Sequence, residues 1–119
     1  MTERPRSDVD SDGRVRAALS SIGAHARRAN LVRAEQLSDA LGCLEADALS
    51  LSQREAAVRS AHQLAGSAGT FGQEPASTLA SWFERFFSGH TPQDRENVAH
   101  ARRQLAELRR SLDDPPDLD

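Results

Sequence analysis

Residues 52–71, SQREAAVRSAHQLAGSAGTF, decide the fold class. Ala57, Ala61, Leu64, Ala68 and Phe71 recur at helical spacing, within about 40° of one direction on a wheel of 100° per residue. Ser52 stands three residues before Glu55, the spacing of a capping box in which both side chains satisfy exposed backbone N–H groups. The stretch therefore predicts an amphipathic helix opening at Ser52. Its opposite face is unusual. His62 lies at about 140° from the apolar stripe, Gly66 at about 180° and Gly69 at about 120°. Each glycine inside a helix costs about 1 kcal/mol relative to alanine. A chain that uses alanine freely and still places two glycines beside one outward histidine has left backbone bare there. A partner's surface can approach such a spot closely.

The same period extends in both directions. Upstream, Val15, Leu19, Ile22 and Ala26 form one stripe, with Asp12 as its expected N-cap. Ala34, Leu37, Leu41, Leu44 and Ala48 form another. The two stripes do not share a seven-residue frame, which predicts a helix break near Asn30. Downstream, Pro75 suits the first turn of a helix, where its missing N–H costs little. That helix carries Ala76, Leu79, Phe83 and Phe86 and stops at Gly89. Thr91-Pro92-Gln93-Asp94 reads as a further cap, with Val98, Ala101, Leu105, Leu108 and Leu112 behind it. The expected fold is all-α: an antiparallel up-and-down four-helix bundle over residues 13–112 with an additional N-terminal helix. Residues 1–12 and 113–119 are acidic, lack apolar period and read as disordered tails.

Composition agrees. The chain has 119 residues, so one domain is expected; Ala (19) and Leu (13) outnumber Val, Ile and Thr together (10), and tyrosine is absent, which argues against a β-rich fold. No apolar run reaches the roughly 18 residues needed to span a bilayer, and nothing at the start resembles a signal peptide. The expected protein is soluble and cytoplasmic, with no membrane partner. Cys43 is the single cysteine and cannot form an internal disulfide; beside the apolar stripe it reads as a small buried hydrophobe. Net charge is −3, made of −2 over residues 1–12, −4 over residues 113–119 and +3 between them. All fifteen basic residues are arginine, and they are dispersed rather than gathered into the stripe that nucleic-acid binding calls for. No His-x3-His pair or acidic partner set stands at metal-ligand spacing, and no phosphate-cradling glycine loop is present. His25, His90 and His100 lack the cleared surround of His62 and read as surface or packing residues. Trp82, Phe83, Phe86 and Phe87 read as core, with one of the four left partly outside.

His62-Gln63-Leu64-Ala65-Gly66-Ser67-Ala68-Gly69-Thr70-Phe71-Gly72 resembles the phosphorylation-site motif of histidine-containing phosphotransfer (HPt) domains of bacterial two-component phosphorelays. The family pattern is His-x-Leu-Lys-Gly-Ser-Ala with a glycine four residues later. It continues with a Leu-Glu pair about eleven residues beyond that glycine, where Phe83-Glu84 stands. The specific likeness covers residues 58–84; over residues 14–112 only helix number and length agree. Ala65 departs from the pattern, since the family usually carries lysine there; Arg59, one turn before His62, is a candidate replacement for its charge.

The resemblance implies a phosphocarrier without kinase activity of its own. His62 accepts a phosphoryl group from a receiver-domain aspartyl phosphate and passes it to another receiver. The partners implied are response-regulator receivers and a hybrid sensor histidine kinase. The chain brings no cofactor, and the divalent metal belongs to the partner receiver. The docking surface expected around His62 comprises Arg59, Gln63, Ala65, Gly66 and Gly69. A monomer is expected. Ala65 keeps a second reading open: an HPt-like adaptor that binds a kinase or receiver without being phosphorylated. A third, a helical or DNA-associated interaction domain, meets dispersed arginines and acidic ends.

Overall fold

Ala57, Ala61, Leu64 and Ala68 are all buried in the computed structural model, as the wheel predicts. The structure describes the backbone of residues 4–113 and the side chains of residues 12–113. Among the described residues there are four helices: α1 (Arg4–Glu45), α2 (Leu51–Thr70), α3 (Glu74–Phe87) and α4 (Arg95–Asp113). No strand occurs among the described residues. Each of α1 and α3 packs on both α2 and α4, which closes a four-helix bundle. Contacts between neighbours run in opposite directions along the chain. Asn30 meets Ser67 and Gln36 meets Ser60; Ala65 meets Ser77 and His62 meets Glu84; Glu35 meets Arg109 and Glu45 meets Arg102. These three neighbouring pairs, α1–α2, α2–α3 and α1–α4, are therefore antiparallel.

The core joins Leu37 and Leu41 of α1, Leu64 of α2, Phe83, Phe86 and Phe87 of α3, and Leu105, Leu108 and Leu112 of α4. Alanines on every helix let these large side chains interdigitate. Leu44, Leu79 and Val98 pack against the core while half-exposed. Among the four neighbouring aromatics Trp82 is the one left half-outside, stacked on Phe86 and meeting His100 edge-on. Among the described residues no helix is long and apolar enough to cross a membrane.

Five expectations are corrected. The additional N-terminal helix is not separate: α1 runs unbroken through Asn30. Asn30 interrupts the apolar pattern but not the helix, because its buried amide is satisfied. It donates from Nδ2 to Ser67 Oγ at 3.1 Å and accepts from Arg33 Nη1 at 2.8 Å. Asp12 is not an N-cap, since α1 begins at Arg4; residues 1–3 and 114–119, within the expected tails, lie outside the described residues. The cap of α2 is Ser50, not Ser52. Ser50 Oγ accepts from the Gln53 N–H and Gln53 Oε1 accepts from the Ser50 N–H, the same reciprocal chemistry two residues earlier. At α4 the capping carboxylate is Asp94, which accepts from the Asn97 N–H at 2.8 Å, rather than Thr91. Cys43 is half-buried rather than fully enclosed.

α1, α2 and α3 stop by one device. Asp47, Gly72 and Gly89 all have positive φ, and around each the last carbonyls of the helix receive the crossed pair of bonds that closes a Schellman turn. At Gly72 the pair is Gly72 N–H to Gly69 C=O and Gln73 N–H to Ala68 C=O. That turn sends α3 back along α2 and past His62.

Candidate functional site

His62 sits near the middle of α2 with 74% of its side chain exposed. Its helix is held from below by Ala61 and Leu64, both fully buried, so the ring is presented on a fixed backbone. One atom of the ring is engaged. Nδ1 lies 3.1 Å and 3.2 Å from the two carboxylate oxygens of Glu84 on α3. An ionised carboxylate only accepts, so the neutral ring carries its proton on Nδ1 and donates it to Glu84. Nε2, on the opposite edge of the ring, is then the nitrogen with the free lone pair, and among the described residues Glu84 is the only side chain in hydrogen-bond contact with the ring.

The predicted docking residues divide into two groups. Arg59, Gln63 and Gly66 are exposed alongside His62. A Cβ placed on Gly66 would meet nothing within 4 Å, so its surface is open, as the wheel suggested. Ala65 and Gly69 are half-buried on the side of α2 that faces α3. Ala65 gives its carbonyl to Ser77 Oγ at 2.8 Å, and a Cβ on Gly69 would come within 3.3 Å of that same hydroxyl. A side chain at Gly69 would therefore crowd the α2–α3 seam rather than project into open space. Toward α1, Arg59 and Gln63 border a groove also lined by Gln36, Asp39 and Cys43.

Glu84 had a place in the sequence pattern but no role there. Its role requires knowing that α3 doubles back antiparallel on α2, a fact carried by the Gly72 turn rather than by any spacing within one helix. Ser77 had no signal at all. Of the remaining histidines, His100 packs on Trp82, His90 contacts Ser88 Oγ at 3.0 Å, and His25 is exposed on α1. None is brought near His62 by any hydrogen bond among the described residues. Among those residues, no group of three or more His, Cys, Asp or Glu is gathered as a metal-binding set.

A family model described as Hpt domain matches residues 24–114, a span that takes in His62, Glu84 and all of the bundle's core. No curated protein and no solved structure matches the chain.

Proposed function

The chain belongs to the Hpt domain family, whose members carry phosphoryl groups in phosphorelays, and from that premise we propose that His62 is its phosphoryl acceptor. Nε2 attacks the phosphorus of a receiver's aspartyl phosphate. The N–P bond forms as the bond from phosphorus to the aspartate oxygen breaks, and the carboxylate leaves with the electron pair. The reverse reaction hands the group to a second receiver and restores the neutral imidazole. The observation that supports this reading is the His62–Glu84 contact, which occupies Nδ1 and leaves Nε2 both nucleophilic and exposed. When His62 is phosphorylated at Nε2, the ring keeps its Nδ1 proton, and Glu84 accepts from it throughout the transfer.

Positioning and charge stabilisation supply most of the catalysis in phosphoryl transfer. This chain contributes the first through a rigid α2 and leaves most of the second to its partners. A divalent metal enters with the receiver, and the open surface at Gly66 lets the receiver close over the ring. Arg59 stands in for the positive charge that Ala65 does not provide. The protein works in the cytoplasm as a monomer between a hybrid sensor kinase and a response regulator, without kinase activity.

The test is incubation with a panel of phosphorylated receivers. Label should move onto the wild-type chain in an acid-labile, alkali-stable form, as a phosphoramidate requires. His62→Gln should keep its thermal midpoint and take no label, a loss of the whole signal. Label persisting in His62→Gln removes His62 from the mechanism. A wild-type chain that binds a receiver and takes no label is the unphosphorylated adaptor instead.

A further inference from the structure

We propose that Ser77 is a positioning residue for His62, acting through Glu84 across the α2–α3 seam. Among the described residues three side-chain hydrogen-bonded contacts cross that seam: Arg54 Nη1 donates to the Phe87 carbonyl at 3.2 Å at the far end, and two stand nearer the Gly72 turn. At one, the Glu84 carboxylate holds His62 Nδ1. At the other, Ser77 Oγ donates to the Ala65 carbonyl at 2.8 Å and lies 3.3 Å from the place where a Cβ on Gly69 would stand. His62 and Gly69 are seven residues apart on α2, as Ser77 and Glu84 are on α3. These two contacts are therefore rungs on the same pair of helix faces, separated by about two turns or 10 Å.

The second rung sets how closely the helices approach. A glutamate side chain is short, so Glu84 reaches the ring only while α3 stays close to α2. Everything on the second rung is small: Ala65, Gly69 and Ser77, with Ala76 and Ala80 of α3 fully buried nearby. Ser77 adds direction to that closeness, because its hydroxyl is tied to one carbonyl of α2. A methyl group on Gly69 would stand 3.3 Å from the hydroxyl, so the hydroxyl must give by a few tenths of an ångström and its tie to the Ala65 carbonyl is loosened. The N-terminal end of α3 then shifts outward about the Arg54–Phe87 tie at its other end, and Glu84, on the same rigid helix, holds Nδ1 less firmly. On a helical wheel Gly66 and Gly69 belong to one cleared surface. The structure gives them different tasks: Gly66 opens the approach to His62, and Gly69 with Ser77 keeps Glu84 in place.

The structural half of the proposal is independent of phosphotransfer, and only its kinetic half rests on His62 being the acceptor. It is tested by ¹⁵N chemical shifts of the His62 ring at alkaline pH, where the ring is neutral and the two tautomers are distinguished. The wild type should be mainly the Nδ1–H form. Ser77→Ala and Gly69→Ala should both shift the ratio toward that of Glu84→Ala, whereas Gly66→Ala should leave it at the wild-type value. Ser77→Thr, which keeps the hydroxyl, should restore it. Adding Ser77→Ala to Glu84→Ala should change the ratio no further, since both act on one contact. Label uptake should fall by up to about tenfold in Ser77→Ala, the scale expected of a small misplacement. A Ser77→Ala and a Gly69→Ala chain that both melt earlier but keep the wild-type tautomer ratio would reduce the rung to packing and overturn the proposal. A chain that shows the predicted tautomer changes but takes no label in any form supports the positioning role and removes the phosphoacceptor reading alone.

Discussion

The two halves of α1 carry similar sequence patterns and meet opposite fates. Val15, Leu19 and Ile22 recur at helical spacing in the first half and are 56%, 62% and 52% exposed. Leu37 and Leu41 recur in the same way in the second half and are completely buried. The difference lies in the neighbours. α1 has 42 residues and α2 has 20, so α1 is about 63 Å long against about 30 Å for its antiparallel partner. Gly23 is the level at which the bundle begins, with the Phe71 ring 4.0 Å from the place where a Cβ on this glycine would stand. Before that level α1 has an apolar stripe and, among the described residues, nothing to bury it against. Periodicity states which face of a helix is available for burial; only the lengths of the other elements decide whether the burial occurs.

The largest effect that separates the halves is truncation of one leucine in each. Leu37→Ala removes a fully buried side chain from the core and should cost about 2–5 kcal/mol of unfolding free energy. Leu19→Ala removes a side chain that is already in water and should stay within about 0.5 kcal/mol. Urea unfolding followed by helical circular dichroism measures both. A loss of more than about 2 kcal/mol in Leu19→Ala would mean that the first half of α1 is covered in solution, and the contrast would collapse.

The junction between the halves is Asn30, and it gives the next largest effect. Its amide bridges Arg33 on its own helix and Ser67 on α2, entirely out of water. Asn30→Ala strips both bonds and leaves the Ser67 hydroxyl without its donor, a cost of about 1–3 kcal/mol. Asn30→Leu continues the apolar pattern of the second half but forces bulk beside the same hydroxyl, so it should not recover the loss. If Asn30→Leu is more stable than wild type, the polar junction contributes no stability, and its place in the helix has another cause.

Asn30 also shows where the sequence stopped being legible. An asparagine between two stripes of different frame looks like a break, because from the sequence alone its partner Ser67 lies 37 residues away and invisible. The core stripes of α2, α3 and α4 were readable because each helix buries one face over its whole length. Caps were readable as chemistry and misplaced in position. Ser50-x-x-Gln53 and Ser52-x-x-Glu55 overlap, and both satisfy the same rule, so the choice falls to the turn that precedes them. At the site, the exposure of His62 followed from one helix and was visible. The Glu84 contact and the Ser77 rung depend on how two helices are set side by side, which no single-helix wheel contains.

The smallest effect belongs to the ion pairs that fasten the second half of α1 to α4. Glu35 pairs with Arg109 at 2.9 Å, and Glu45 pairs with Arg102. The Arg102 guanidinium, chiefly through its hydrogen bond, holds the Glu45 carboxyl below its ordinary range against the opposing pull of desolvation. A carboxyl whose pKa is lowered on folding binds fewer protons in the folded state. Its stabilisation is therefore complete above the unfolded pKa of about 4.3 and disappears as pH falls through the lower, folded value. Both partners are about two-fifths exposed, so water and salt screen the pair and its contribution should stay below about 1 kcal/mol. Glu45→Gln should accordingly lower the thermal midpoint slightly at neutral pH and approach the wild-type value in acid, below the folded pKa of the carboxyl. Glu107, which pairs with Arg110 within α4 alone, gives the control: Glu107→Gln should change the midpoint less at every pH, because it fastens nothing to α1. Equal effects of the two substitutions would show that α1 is fastened to α4 by its apolar face alone.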